Sequence, residues 1–212
     1  MGMNVELVGL QPTTLLTPED PATLAVVGPD RSLTWDELER RARQLARALD
    51  ADGIGPGRVW GVLARDRCEW PEVSLGNTRA GSRYVPLNWH VTAPEITALL
   101  VDSGCDLNVV AAEFREDAEA AATGTSVTHI VEFGADYEEW LEAAGDDVHD
   151  QRMSGGPMMF TGGTTGKSKG VIRPELSTPV GSANPMAAWG ELVRMPDHGA
   201  TLLTTPLYHA LG

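Results

Sequence analysis

The chain has 212 residues, 42% of them hydrophobic, which is enough to bury a sizeable core in one large or two small domains. Its formal net charge of −14 excludes a general nucleic-acid-binding role, because the phosphates of nucleic acids require a basic surface. No apolar run is long enough to span a bilayer, and no basic stretch precedes an apolar one at the N-terminus, so we expect a cytoplasmic protein without a transmembrane segment.

The elements predicted up to residue 144 alternate between helices and strands. Thr34 and Glu37 form a capping box that opens a helix with one apolar face, and Thr92 with Glu95 repeats the pattern. Further helices are predicted over 69–80, 113–122 and 137–144, and strands over 59–64, 107–111 and 128–132. Strands that alternate with helices indicate a parallel sheet covered on both faces, which is an α/β architecture.

The cysteines and histidines do not have the spacing of metal ligands. Cys68 and Cys105 stand far apart, and the five histidines include no H-x-x-x-H pair, so we predict no metal-ligating residues. The acidic residues are concentrated, because residues 112–150 contain twelve of them and one basic residue, Arg115. We interpret this segment as solvated surface that repels an anionic nucleotide.

An apolar run at 157–161 opens into a loop of glycines, threonines and lysines, and a second apolar run follows at 171–173. Both runs are typical of short strands, so we predict a strand, a loop and a second strand. Glycine backbone N–H groups, threonine hydroxyls and lysine ammonium groups are the donors that a polyphosphate requires. The candidate phosphate-binding residues are Thr161, Gly162, Gly163, Thr164, Thr165, Gly166, Lys167 and Lys169.

The sequence of the same loop is close to a Walker A motif but does not match it fully. Residues 166–168 match the end of that motif, but its first glycine would have to fall at Thr161. A Walker loop also opens a helix, whereas a β-branched run that stops at Pro174 follows here. A P-loop nucleotide hydrolase is therefore the weaker hypothesis.

Residues 161–171 resemble the phosphate-binding signature of the adenylate-forming, AMP-binding superfamily, which includes acyl-CoA synthetases, the adenylation domains of peptide synthetases, and luciferases. Gly162 stands where that family usually has serine or threonine, and Ser168 where it usually has proline, so one hydroxyl donor and one backbone constraint are missing. Residues 84–96 and 206–212 are similar to two further segments of acyl-CoA synthetases. The resemblance runs from about residue 17 to the last residue and favours the CoA-ligase branch.

The resemblance implies an α/β fold with parallel sheets flanked by helices, namely the N-terminal part of the adenylate-forming enzyme fold with its C-terminal domain absent. Residues 1–150 would form a first α/β subdomain region with an acidic connector. Residues 151–212 would hold the phosphate loop and the start of a second α/β region, incomplete at its C-terminus. In this second region we predict a helix around 186–193 and a strand over 200–205.

The resemblance also implies a reaction, the two-step activation of a carboxylic acid, with a fatty acid as the expected substrate. ATP and the carboxylate give an acyl adenylate and pyrophosphate, and the thiol of CoA then displaces AMP. The loop residues would bind the β- and γ-phosphates of ATP, with Mg²⁺ as their charge partner. His209 would orient the carboxylate as the catalytic residue of this portion; an ordinary loop histidine is the alternative.

A chain limited to this N-terminal portion is expected to lack catalysis of its own. In the family that it resembles, the adenine and ribose contacts and the catalytic lysine come from segments downstream of one like 206–212. An incomplete sheet is also expected to leave edges or apolar faces uncovered and to self-associate. A nucleotide-binding module, or one part of a split adenylating enzyme, is therefore the alternative function.

Overall fold

The computed structural model describes residues 20–29, 31–146, 155–161, 169–172, 202 and 206–208. Strands and helices alternate along the chain, as the sequence pattern predicts. The strands are β1 (Leu24–Val27), β2 (Ser32–Thr34), β3 (Val59–Leu63), β4 (Arg83–Leu87), β5 (Cys105–Val110), β6 (His129–Glu132), β7 (Met158–Thr161) and β8 (Lys169–Ile172). The helices are α1 (Trp35–Ala51), α2 (Trp70–Ala80), α3 (Ala93–Ser103), α4 (Arg115–Ala122) and α5 (Ala135–Ala144), and a single 3₁₀ turn (Ala112–Phe114) precedes α4.

Four strands form a parallel sheet in the order β4, β3, β5, β6. All five residues of β3 are buried, as expected for a parallel strand that is covered on both faces. β4 was not predicted from the sequence, because Pro86 has no N–H for a strand ladder. The structure tolerates Pro86 because β4 lies at the edge of this sheet.

Helices cover both faces of the sheet, which confirms the α/β prediction. One face packs against α1, α2 and α5, and its buried cluster includes Leu45, Leu49, Trp60, Val73, Val109 and Leu141. The other face packs against α3 and α4, and its cluster includes Leu63, Val85, Leu100, Val110, Ala118 and Met158. Burial of each large aliphatic side chain contributes about 1.5 to 3 kcal/mol to folding, so these two clusters dominate the stability of the sheet.

The ends of two helices confirm the capping boxes. At α1 the Glu37 N–H donates to Thr34 Oγ1 at 3.2 Å, and the Thr34 N–H donates to the Glu37 carboxylate at 2.8 Å. At α3 the Thr92 N–H donates to the Glu95 carboxylate at 2.8 Å. α3 ends at Gly104, whose φ of +68° is the left-handed conformation that glycine adopts without strain.

The β1–β2 hairpin was not predicted. Its strands are short, and the Leu24 and Val27 side chains are exposed, so the sequence lacks the alternation of apolar and polar residues that identifies a strand. The hairpin pairs antiparallel through Val27 and Ser32 and continues directly into α1.

The predicted strand, loop and strand around residue 165 are confirmed on both sides of the loop. β7 and β8 pair antiparallel, and Thr161 is the register partner of Lys169. β8 begins at Lys169, two residues before the predicted second strand. The hairpin is tied to the main sheet by a parallel bridge between Tyr84 and Pro157 and by Met158, which is buried in the cluster under α3 and α4.

Several predictions fall outside the described residues. These are the helix around 186–193, nearly all of the strand over 200–205, residues 162–168 of the loop, and His209. The division into 1–150 and 151–212 stays a prediction. Within the residues that the structure describes, no helix combines the length and the apolar composition needed to cross a membrane.

Candidate functional site

Thr161 and Lys169 are the described residues on either side of the candidate phosphate loop. These two residues are register partners at the loop end of the β7–β8 hairpin, and partners in an antiparallel pair have Cα atoms about 4.5 to 5.5 Å apart. The intervening residues therefore start and finish at neighbouring points. They lie outside the described part of the chain and comprise Gly162, Gly163, Thr164, Thr165, Gly166, Lys167 and Ser168.

The loop end of the hairpin points toward the carboxyl ends of the parallel strands. The bridge between Tyr84 and Pro157 is parallel, so β7 runs in the same direction as β4. Thr161, at the end of β7, therefore lies toward the edge from which the loops after β3, β4 and β5 emerge. In open α/β sheets this carboxyl edge is where ligands bind.

Three loops place charged and aromatic side chains together at the carboxyl edge. Arg65 follows β3, Trp89 follows β4, and Phe114 follows β5. The Arg65 guanidinium carbon lies 4.0 Å from the centre of the Trp89 ring and 5.7 Å from that of Phe114. The His90 ring stacks on Trp89 with 3.5 Å between ring centres. A guanidinium over an aromatic face is attracted by the ring quadrupole, so this stack holds the three loops in one arrangement.

The segment before His209 reaches the same edge. The Leu207 N–H donates to Asp66 Oδ1 at 2.8 Å, and Asp66 belongs to the loop after β3. The Tyr208 ring lies 6.5 Å from the rings of both Trp89 and His90, edge-on to each. His209 itself lies outside the described residues, but its two preceding residues contact the carboxyl edge.

A cavity of about 300 Å³ lies beside this stack, between the β1–β2 hairpin and the loops after β3 and β5. Arg67 lines it, donates to both oxygens of Glu69 at 2.7 and 2.9 Å, and lies over the Phe133 ring at 4.1 Å. Burial opposes the charge on Glu69, but Arg67 outweighs it and holds the pKa of Glu69 below its ordinary value. The other residues that line the cavity are Pro29, Arg31, Arg65, Asp66, Cys68, Glu69, Ala111 and Glu113.

Sequence reasoning missed this cluster, although a signal was present. Residues 65–67 read Arg-Asp-Arg directly after a predicted buried strand, and the carboxyl end of a parallel strand is where polar side chains serve a site. The aromatic partners Trp89 and Phe114 come from other strands, so their contact with Arg65 could not be derived from local pattern. Among the described residues, no group of three or more histidine, cysteine or acidic side chains is arranged to hold a metal ion.

Comparison with known proteins decides the family. A sequence model described as AMP-binding enzyme matches residues 16–212. The chain belongs to the AMP-binding enzyme family. Among its relatives in this family is the fatty acid–acyl-carrier-protein ligase ScoC of Streptomyces coeruleorubidus, which is 32% identical over 168 residues, or 77% of this chain and 32% of that protein.

Two further AMP-binding relatives illustrate the coverage. Indoleacetate–CoA ligase of Aromatoleum aromaticum is 28% identical over 203 residues, which are 91% of this chain and 39% of that enzyme. The inhibitor-bound N-terminal domain of FACL13 from Mycobacterium tuberculosis superimposes with a TM-score of 0.60 at 27% identity and covers 68% of this chain and 38% of that one. The chain therefore spans about a third to two fifths of the length of these AMP-binding proteins.

Proposed function

We propose that this chain is the N-terminal portion of an ATP-dependent acid–CoA ligase. The observation that carries the proposal is the β7–β8 hairpin, which pairs Thr161 with Lys169 and points its loop end toward the carboxyl edge of the sheet. The segment before His209 contacts that same edge. Phosphate donors and the carboxylate-orienting segment would then meet at one end of the sheet, as an adenylation reaction requires.

In the first step, a carboxylate oxygen attacks the α-phosphorus of ATP, and the bond to the bridging oxygen of the β-phosphate breaks. Pyrophosphate leaves with the electron pair of that bond, and an acyl adenylate remains. Thr161, Thr164 and Thr165 would donate hydroxyls to the departing phosphates, and Lys167 and Lys169 would supply positive charge. Gly162, Gly163 and Gly166 would let backbone N–H groups approach the same oxygens.

Mg²⁺ would accompany ATP as further positive charge on the triphosphate. The phosphate oxygens of ATP would be among its ligands. In the second step, the thiol sulfur of CoA attacks the acyl carbon, and AMP leaves with the bonding electrons. An acyl-carrier protein, the partner in the name of ScoC, is an alternative acyl acceptor.

A second candidate function is a nucleotide-binding module, or one part of a split adenylating enzyme, that has no catalysis of its own. The β7–β8 hairpin supports it equally, since its loop could bind phosphates without any acyl pocket. On either proposal the isolated 212-residue chain forms no acyl-CoA, because a nucleotide held by its phosphates alone is poorly immobilised.

The experiment measures carboxylate-dependent exchange between pyrophosphate and ATP in the complete polypeptide that contains this chain. Lys169→Ala, and the pair Thr164→Val with Thr165→Val, each remove donors to a developing negative charge. The expected loss is about 2 to 4 kcal/mol of transition-state stabilisation, or roughly 30- to 1000-fold in rate. Arg115→Ala, which removes a charge from a surface ion pair on α4, is the matched control. Exchange rates that match the control in both variants would refute the assignment.

A second readout does not require turnover. Lys167 and Lys169 are the only lysines in the chain, so an amine-reactive reagent labels this loop and the N-terminus alone. In the 212-residue chain, saturating Mg-ATP should slow the labelling of Lys169, and saturating inorganic pyrophosphate should do the same. Equal labelling rates with and without both ligands would count against phosphate binding at the loop.

A further inference from the structure

The loop after β3 contacts a segment that lies far away along the sequence. Asp66 Oδ1 accepts a hydrogen bond from the Leu207 N–H at 2.8 Å, although 141 residues separate them. Leu207 is half-buried and packs, with Tyr208, against the core cluster under α1, α2 and α5. The segment 206–208 is therefore held by a directed hydrogen bond in addition to apolar contact.

A second contact fixes the ring that follows Leu207. Tyr208 lies edge-on to Trp89, and Trp89 in turn carries the Arg65 guanidinium on its face. Arg65 also lies 3.6 Å from the Glu113 carboxylate. Arg65 and Asp66 are adjacent in one loop, so that loop contacts the segment 206–208 once directly and once through Trp89.

We propose that Asp66 is a positioning residue, which holds the segment 206–208 at the carboxyl edge and thereby shapes the side of the site where the carboxylate would bind. The role is that of a hydrogen-bond acceptor for a backbone amide. An asparagine oxygen can accept the same bond, so Asp66→Asn preserves the role and Asp66→Ala removes it. The inference rests on the proposed function only for the consequence at the carboxylate; the anchor itself does not depend on it.

The first test measures amide hydrogen exchange in the 212-residue chain. The Leu207 amide should exchange about tenfold faster in Asp66→Ala than in the unmodified chain, since one hydrogen bond is lost, and Asp66→Asn should restore the slow rate. Glu116→Ala is the control, because it removes one negative charge from an exposed position on α4. Unchanged exchange at β5 verifies that each variant is folded. Equal rates at Leu207 in the unmodified and Asp66→Ala chains would overturn the anchor.

The second test uses the complete polypeptide and varies ATP and the carboxylic acid in turn. Asp66→Ala should raise KM for the acid several-fold with little change in KM for ATP, and Asp66→Asn should behave as the unmodified enzyme. Faster exchange at Leu207 with an unchanged KM for the acid would overturn the positioning role. If the unmodified polypeptide shows no acid-dependent pyrophosphate exchange, the proposed function fails, whereas the exchange test still decides whether Asp66 is the anchor.

Discussion

Glu72 is fully buried where α1, α2 and α5 meet, and its charge is matched by specific donors. Arg41 Nε lies 2.5 Å from one carboxylate oxygen and Nη2 lies 3.1 Å from the other, and the Tyr137 hydroxyl donates at 2.8 Å. Burial opposes the charge on Arg41, but Glu72 and Glu138 outweigh it and raise the pKa of the guanidinium above its ordinary value. A buried carboxylate in this position depends on its partner, because an unpaired charge there would lose its hydration without compensation.

Arg41→Met should therefore destabilise the chain by about 3 to 5 kcal/mol, since it leaves the buried Glu72 without its counter-ion. Arg31→Met removes a partly exposed guanidinium that also pairs with Glu138, and it should cost about 0 to 1 kcal/mol. Urea unfolding of both variants measures the two free energies. Equal losses in the two variants would show that burial at Glu72 does not govern the cost.

At the scale of elements, the position of the β7–β8 hairpin depends on the close packing of Gly155, which precedes β7, against the backbone of residues 77–82. The Gly155 N–H donates to the Thr78 carbonyl at 3.2 Å, at the end of α2. A Cβ on Gly155 would lie 1.8 Å from the Ser82 carbonyl oxygen and 2.8 Å from the Asn77 carbonyl oxygen. Both atoms belong to the backbone, so only a shift of the chain could relieve the overlap.

Gly155→Ala should thus displace β7 from β4 and destabilise the chain by about 1 to 3 kcal/mol. Because the loop begins at the end of β7, the variant should also reduce pyrophosphate exchange and the protection of Lys169 by Mg-ATP. Gly170→Ala is the matched control in the same hairpin. Its Cβ would meet the Met158 and Phe160 side-chain tips at 3.2 Å, and these can move. The prediction is contradicted if Gly155→Ala loses no more stability and no more pyrophosphate exchange than Gly170→Ala.

At the scale of the whole molecule, the acidic composition makes stability depend on pH. Hydrogen bonds from Thr34 and Thr92 hold the pKa values of Glu37 and Glu95 below their ordinary range. Burial opposes the charge on Glu138, but Arg41 and Arg31 outweigh it and lower its pKa as well. Because these pKa values are lower in the folded chain, their stabilisation is complete above about pH 4.5 and is lost as the pH falls through the folded values.

The double variant Glu37→Gln with Glu95→Gln should weaken this dependence. The glutamine oxygens can still accept the cap hydrogen bonds but carry no charge, so stability near pH 7 should fall modestly, and the further fall below pH 4.5 should become shallower. Thermal unfolding from pH 3.5 to 7 measures the slope. Glu116→Gln with Glu142→Gln removes the same two charges from exposed positions outside the caps and should keep the original slope. An unchanged slope in the cap variant would argue against the caps as its source.

Much of the fold follows from interactions between residues that are close together along the chain. The capping boxes at Thr34 and Thr92, and the buried strand β3, were predicted because side-chain donors within three residues and a run of apolar residues act over short distances. The strands on either side of the candidate phosphate loop were predicted for the same reason, and the family followed from the motif between them. The roles of the loop residues and of His209 stay predictions.

Which side chains meet at the carboxyl edge depends on how the sheet assembles. β4 was missed because Pro86 is acceptable as a strand residue only at an edge, and edge position is a property of the assembled sheet. The contact of Asp66 with Leu207 and the stack of Arg65 on Trp89 join segments far apart in sequence. Such contacts depend on the order of the strands and on the direction of β7. Strand order and strand direction leave no periodic pattern in the sequence, because they depend on which strands become neighbours when the two cores are buried.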